Sequence, residues 1–250
     1  MRAYVINLDR APERWTHIEK SFSSTGFGLS RVPAVDGNAM SLPHQGYAEG
    51  RYRWLHGRDT NIYEVACYLS HVRAMEAFLE TEEDCALIAE DDIVLGPDAE
   101  AVVEGAMRYA KYWNVLRLTG LTAANGFKVA RLHGDSYLSV HTTRLKGAGA
   151  YLVDRRAAKA YVKGLMPMWL PYDHAVDREW FFGLAAAAVS PFPISQVDKI
   201  FRSSIQRHSK PRLSSGRRWL GTYPYQAFNE IARSLFRYAY LAFLKLRLPG

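Results

Sequence analysis

The run Cys85-Ala86-Leu87-Ile88-Ala89-Glu90-Asp91-Asp92-Ile93-Val94 constrains this chain more than any other. An apolar, strand-forming stretch ends in three consecutive carboxylates before the apolar pattern resumes. Strands buried on both faces read as unbroken hydrophobic runs of this kind. Three acids at the end of such a strand repel one another and lose hydration when buried, which points to a cation at that place. Hard oxygen ligands, with little histidine or thiolate near them in sequence, suit Mg²⁺ or Mn²⁺, ions that commonly carry phosphates. The plain alternative is an exposed acidic turn, since Pro97 close behind marks a loop running into a helix.

The surrounding pattern alternates strand and helix. Residues 2–8 read as a buried strand, and Pro12 suits the first turn of a helix carrying Trp15, Ile18, Glu19 and Phe22. A second strand, 30–35, runs into the Asp36-Gly37 turn. Positions 40–60, rich in Gly, Tyr, Arg and His, read as a mobile loop. Asn61 and Glu64 have capping-box spacing at the head of a helix whose apolar face runs from Ile62 to Leu79. Further strands are predicted at 114–118, 127–132 and 148–153, with helices at 98–112 and 155–165. Such alternation argues an α/β domain with a mainly parallel sheet flanked by helices, whose ligands sit beyond the carboxyl ends of the strands. Asn7-Leu8-Asp9, Val35-Asp36 and Glu90-Asp91-Asp92 are those ends.

At 250 residues, 48% hydrophobic and 23% charged, the chain has the composition of a soluble globular protein. Two cysteines, Cys67 and Cys85, form neither a disulfide framework nor a metal knuckle and read as core thiols in a reducing compartment. The N-terminal apolar run is too short for a secretion signal, and no stretch is long enough to span a membrane. The net charge of +7 is concentrated in residues 209–250, where eight Lys and Arg face one acid, Glu230. Residues 1–208 are then neutral, with 24 of each sign. The expected organisation is a domain over 1–208 and a basic helical tail over 209–250.

Several segments together resemble the family 25 glycosyltransferases, of the lipooligosaccharide galactosyltransferase type. They are Val5-Ile6-Asn7-Leu8-Asp9-Arg10 with Arg14, Pro33-Ala34-Val35-Asp36-Gly37, Glu64 to His71, Leu87 to Asp92, Gly147 to Val153, and Leu170-Pro171-Tyr172-Asp173. All six stand in the family's order. Ala66 replaces the glycine usual before the motif cysteine, and neither 46–59 nor the tail is part of the resemblance. It implies a GT-A type, Rossmann-like fold, a UDP-sugar donor, a divalent cation (Mn²⁺, or Mg²⁺), a glycan or glycolipid acceptor and inversion at the anomeric carbon.

On that reading Asp92 is the metal ligand. Side chains two apart share a face in extended chain, so Glu90 projects with Asp92 while Asp91 points away. Glu90 is thus a second candidate for the metal, and Glu90 or Asp91 for the sugar or a water ligand. Asp173 is the favoured base for the acceptor hydroxyl, Asp177 the alternative one helical turn on, and Glu179 a third choice; Asp173 also reads as a helix cap. Asn7 and Leu8 fall at the donor crevice. Asp36 suits a ribose hydroxyl or a plain turn, and Arg14 a diphosphate or solvent. His71 reads as a buried, hydrogen-bonded histidine, with a ligand role as the alternative. His208 is a candidate second metal ligand or diphosphate contact.

From about Tyr225 to Arg247 the tail is amphipathic. Gln226, Asn229, Glu230, Arg233 and Arg237 form a polar stripe opposite Phe228, Ile231, Leu235, Tyr238, Leu241 and Leu244. With its interfacial aromatics such a helix fits an anionic membrane surface, placing the protein on the inner face of the cytoplasmic membrane. Packing on the body and a homodimer interface are the alternatives. Nucleic acid is not expected, because the apolar side is too wide to track phosphates. Two other functions share these features: a metal-dependent nucleotidyltransferase and a non-catalytic peripheral membrane adaptor.

Overall fold

A computed structural model of the chain describes residues 1–121, 126–196, 208 and 210–248. In chain order the strands are β1 (Arg2–Asn7), β2 (Gly28–Pro33), β3 (Cys85–Glu90), β4 (Ile93–Leu95), β5 (Val115–Arg117), β6 (Phe127–His133), β7 (Ser136–Val140), β8 (Ala150–Asp154), β9 (Ala186–Ser190) and β10 (Ile194–Gln196). The principal helices are α1 (Pro12–Phe22), α2 (Glu49–His56), α3 (Ile62–Leu79), α4 (Ala99–Met107), α5 (Arg155–Gly164), α6 (Tyr172–Val176) and α7 (Tyr223–Arg247). Eight strands form one sheet in the order β2-β1-β3-β8-β5-β9-β7-β6. Only β7 and β8 run against the other six, so the sheet is mixed but mostly of one direction. β4 and β10 pair antiparallel beside it.

Strand alternation divides the core between the two faces. Ala3 and Val5 of β1, with Cys85, Leu87 and Ala89 of β3, pack against α1, α4 and α7 through Ile18, Phe22, Val103, Ala106 and Leu244. Tyr4 and Ile6, with Ala86 and Ile88, pack against α3, α5 and α6 through Val65, Met75, Phe78, Tyr161 and Tyr172. The register Ile6↔Glu90 brings the carboxyl ends of β1 and β3 level, and Asn7↔Pro33 adds β2.

The departures from the sequence reading have physical causes. Residues expected in a mobile loop contain α2, which ends at Gly57 in the left-handed region (φ 75°). Its Tyr52 is buried edge-on against Tyr47 and donates its hydroxyl to Glu64. Glu64 therefore does not complete a capping box: the Asn61 side chain accepts from the Tyr63 amide, while the Glu64 carboxylate is turned to Tyr52. The unpredicted β9 is the weakly strand-forming run Ala186-Ala187-Ala188-Val189-Ser190, held extended between β5 and β7. β7 follows β6 through a two-residue Gly134-Asp135 turn, with Gly134 at positive φ.

The tail helix is oriented opposite to a simple amphipathic reading. Its polar stripe faces the body: Asn229, Arg233 and Arg237 are buried, whereas Phe228, Ile231, Leu235 and Tyr238 are more than half exposed. The cause is charge. Arg237 donates to both oxygens of Glu179, at 2.5 and 2.9 Å, and to Asp177 at 2.8 Å, while Arg233 Nε lies 2.9 Å from the second Asp177 oxygen. The Arg237 guanidinium also donates to the His141 and Thr143 carbonyls. Leu241 and Leu244, expected on the free apolar side, instead join the core with Tyr240.

Removing one member of a buried ion cluster leaves the others uncompensated. Arg237→Met therefore lowers stability by about 3–5 kcal/mol, a fall of roughly 10 °C in the midpoint of thermal unfolding. A shift of only a degree or two in circular-dichroism melts would show that the helix is held by its apolar contacts alone.

Candidate active site

The three carboxylates at the end of β3 part company. Asp91 is buried, accepts from Asn7 Nδ2 at 2.7 Å and pairs with Arg14 at 2.8 Å. Burial still raises its carboxyl above the usual range, against the pull of Arg14 and Asn7. Glu90 receives His71 Nε2 at 3.2 Å, and Gln196 Nε2 lies 3.2 Å from Glu90 Oε2 and 3.3 Å from Asp92 Oδ1. Glu90 and Asp92 thus share one face and one amide, while Asp91 serves the other side. Gly149 permits this approach, because a Cβ there would stand 2.5 Å from the Gln196 amide nitrogen.

Two cavities meet at these acids. One, of about 140 Å³, is lined by Leu8, Arg10, Arg14, Asp36 and Tyr63. The other, of about 320 Å³, is lined by His56, Arg58, Glu64, Gly147, Asp173 and His174. Cys67, His71, Glu90 and Asp92 border both. Asp36 is held bidentately by Arg10, at 2.7 and 3.4 Å, which lowers its carboxyl. Asn7 is fully buried and holds Asp91 and Arg31, so its part at the crevice is positional rather than direct. Tyr63 is stacked by the His208 ring at 4.3 Å, which places His208 at the rim of the smaller cavity.

Asp173 lies in the first turn of α6, behind Pro171, and is not the helix cap. Its Oδ2 accepts from the Gly147 amide at 3.3 Å. Gly147 has φ +80°, a conformation that side chains rarely adopt. Burial works to raise the Asp173 carboxyl, but His174, the Gly147 amide, Arg117 and Arg144 outweigh it and keep it ionised. Asp177 and Glu179, the other two candidates for the base, are locked in the Arg233–Arg237 ion cluster and line neither cavity. The physical reason is the docking of α7, which the local sequence does not reveal. Gln196 escaped the sequence reading too, because β10 reaches the acids only by pairing with β4.

The donor set fits a cation. Burial, then Glu90 and Asp91, push the Asp92 carboxyl up to about 7, the mark of negative charge lacking a counterion. The fold also corrects the expectation of few soft ligands: Cys67 Sγ, a His71 ring nitrogen and a Glu90 oxygen lie within 4.8 Å of one another. His71 is stacked on Tyr172 at 4.0 Å and lies 3.3 Å from the Tyr151 hydroxyl, so it is also a built-in core residue. Burial drives the Cys67 thiol well above its usual range.

An acid raised by folding holds its proton longer in the folded chain, so the metal-free protein loses stability as pH rises from about 4 towards about 7 and is level above. The expected loss from this carboxyl is on the order of 4 kcal/mol, and Asp92→Asn removes that contribution. Parallel urea-denaturation stabilities for the two proteins across that window would contradict the assignment.

Comparison with known proteins bears on the same residues. The family description Glycosyltransferase family 25 (LPS biosynthesis protein) matches residues 1–176. A "Glycosyltransferase 25 family member" of Anopheles gambiae is 34% identical over 105 residues, 38% of this chain and 17% of that protein. One from Drosophila melanogaster is 32% identical over 120 residues, 44% and 20% of the respective chains. The chain therefore matches only a fifth or less of these relatives' length. Among solved structures, a glycosyltransferase involved in glycosylation of the major capsid of PBCV-1 overlays with TM-score 0.43 at 10% identity, covering 83% of this chain and 98% of that one. The galactosyltransferase LgtC, in complex with donor and acceptor sugar analogs, overlays with TM-score 0.41 at 12% identity, covering 94% and 96%. The inositol-1-phosphate CTP transferase of T. maritima overlays with TM-score 0.44 at 10% identity, covering 82% and 93%. Overlays this loose favour none of the three chemistries. The family match, by contrast, takes in β1, the acids of β3 and Asp173, and on it this chain belongs to glycosyltransferase family 25.

Proposed function

We propose that the protein is an inverting, metal-dependent glycosyltransferase that moves a sugar, galactose by family resemblance, from a UDP-sugar to a hydroxyl of a lipopolysaccharide-type glycan. The observation carrying this reading is that Asp92 and Glu90 stand between two cavities while Asp173 lines only the larger one. The smaller cavity, with Arg10, Arg14, Asp36 and Tyr63, suits a nucleotide: an aromatic face, a carboxylate for a ribose hydroxyl and cations for a diphosphate. The larger one suits the acceptor.

Asp92 and Glu90 would hold Mn²⁺ or Mg²⁺, which when bound supplies Lewis-acid stabilisation of the charge on the departing diphosphate. Ionised Asp173 takes the proton of the acceptor hydroxyl as that oxygen bonds to the anomeric carbon and the bond from that carbon to the UDP oxygen breaks. Base and leaving group stand on opposite sides of the sugar, which inverts the centre. His174, the Gly147 amide, Arg117 and Arg144 hold Asp173 in its ionised form, ready to accept.

An anionic membrane surface is the site of action that this reading assigns, on the inner face of the cytoplasmic membrane. α7 presents Phe228, Ile231, Leu235 and Leu246 outward, and Trp219 and Leu220 precede it, all more than half exposed. Exposed Arg217, Lys245 and Arg247 flank them. Apolar wedge and basic flank together suit acidic headgroups better than a second protein copy. Among the described residues no helix is long and apolar enough to cross a membrane.

UDP with Mn²⁺, each near 100 times its dissociation constant, should stabilise the chain by about 2.7 kcal/mol, or roughly 5–10 °C, and Asp92→Asn should lose the effect. Asp173→Asn should slow turnover about 10²–10⁴-fold with UDP–Mn²⁺ binding intact. Release of pyrophosphate in place of UDP would instead identify a nucleotidyltransferase. In sedimentation with vesicles, Leu235→Ser combined with Trp219→Ser should weaken binding to phosphatidylglycerol-containing bilayers. Equal binding of both proteins to neutral and anionic vesicles would rule out the membrane face.

A further inference from the structure

Beyond His174 the acceptor cleft opens into a third cavity, of about 570 Å³, which shares His56, Arg58 and His174 with it. Its charge is one-sided. Among the described residues Arg58, Arg144, Lys146, Arg212 and Arg218 line it, against one acid, Glu230. That acid is already committed, since Glu230 Oε2 pairs with Arg233 at 2.5 Å.

The fold assembles this group from four places in the chain. Arg58 follows α2, Arg144 and Lys146 lie between β7 and Gly147, Arg212 bridges back to Arg58, and Arg218 stands ahead of α7. Like charges gathered at one cavity wall repel one another, so holding them there costs the fold free energy. Their surroundings register the field: burial, then His174 and Arg58, depress the His56 imidazole to about 3, and burial with Arg144 lowers the His174 imidazole against the opposing pull of Asp173. Arg144 Nη1 lies 2.9 Å from His174 Nε2, and His174 directly follows Asp173. The positive wall thus begins within one residue of the base.

We propose that this cavity binds an anionic substituent, a phosphate or carboxylate, carried by the acceptor sugar next to the one that is glycosylated. The inference rests on the acceptor reading of the adjoining cleft. Arginine forks match phosphate and carboxylate oxygens in pairs, so the cavity selects charged acceptors over neutral ones and fixes which hydroxyl reaches Asp173. The donor diphosphate is a different anion and occupies the other side of Glu90 and Asp92.

The test is calorimetric titration of the whole chain, saturated with UDP and Mn²⁺, using glucose 6-phosphate, glucuronate, glucose and inorganic phosphate. The two charged sugars should bind at least about tenfold more tightly than glucose. Lys146→Gln with Arg212→Gln, both at exposed positions, should remove that preference while the UDP–Mn²⁺ thermal shift persists. Equal binding of glucose and the charged sugars overturns the proposal. So does inorganic phosphate binding as tightly as glucose 6-phosphate, which would mean a free-ion site, and so does competition between the charged sugars and UDP. Failure of the donor reading registers separately, as the absence of any UDP–Mn²⁺ shift in the same samples.

Discussion

Three adjacent carboxylates at the end of a buried strand are the constraint on which this structure turns. Left together they would be mutually repulsive and poorly hydrated. The fold resolves this by giving each a different environment. Asp91 is paired with Arg14 and hydrogen-bonded by Asn7, Glu90 is tied to His71 and Gln196, and Asp92 is left with charge that only a cation or a proton removes. Much of the neighbouring architecture serves this division. α1 supplies Arg14, α3 supplies His71, and the small β4–β10 ribbon delivers Gln196.

A second electrostatic problem, remote in sequence, shapes the other end of the site. Asp177 and Glu179 follow Asp173 within six residues, and all three look alike as candidates for a base. Arg233 and Arg237 claim two of them, so a helix more than fifty residues on decides which carboxylate stays available. The same contact turns the apolar face of α7 outward. One buried ion cluster thereby anchors the segment bearing Asp173, the proposed base, and exposes the surface proposed for the membrane, which gives the two a common mechanical support.

The basic cavity adds a third element to this layout. The proposed donor pocket, the acid edge, the proposed acceptor cleft and the cationic wall follow one another across the carboxyl end of the sheet, each bordering the next. Charge alternates along that path, from the arginines around Asp36, through the acids, to the cations beyond Asp173. A substrate pair with anions at both extremities and a reacting neutral centre matches that alternation.

What could be read in the chain was what local pattern dictates. Hydrophobic periodicity located β1, β3, β6, β8 and helices α1, α3, α4 and α5, because burial on a sheet face or helix stripe leaves a short-range signature. The acid-tipped β3 and the i, i+2 partnership of Glu90 with Asp92 were likewise legible, since adjacent residues of an extended chain have fixed relative directions. β9, an alanine run, and α2, in a segment without clear period, carry no such signature; pairing and the burial of Tyr52 create them. Tertiary structure alone decided that Gln196 and His71 reach Glu90, that Asp173 rather than Asp177 or Glu179 faces the cleft, and that five scattered cations share one wall. It also decided the face on which α7 docks. Amphipathicity defines two faces of a helix, but only the partner's charge determines which is buried, and here the buried carboxylates Asp177 and Glu179, paired with Arg233 and Arg237, outweighed the apolar stripe.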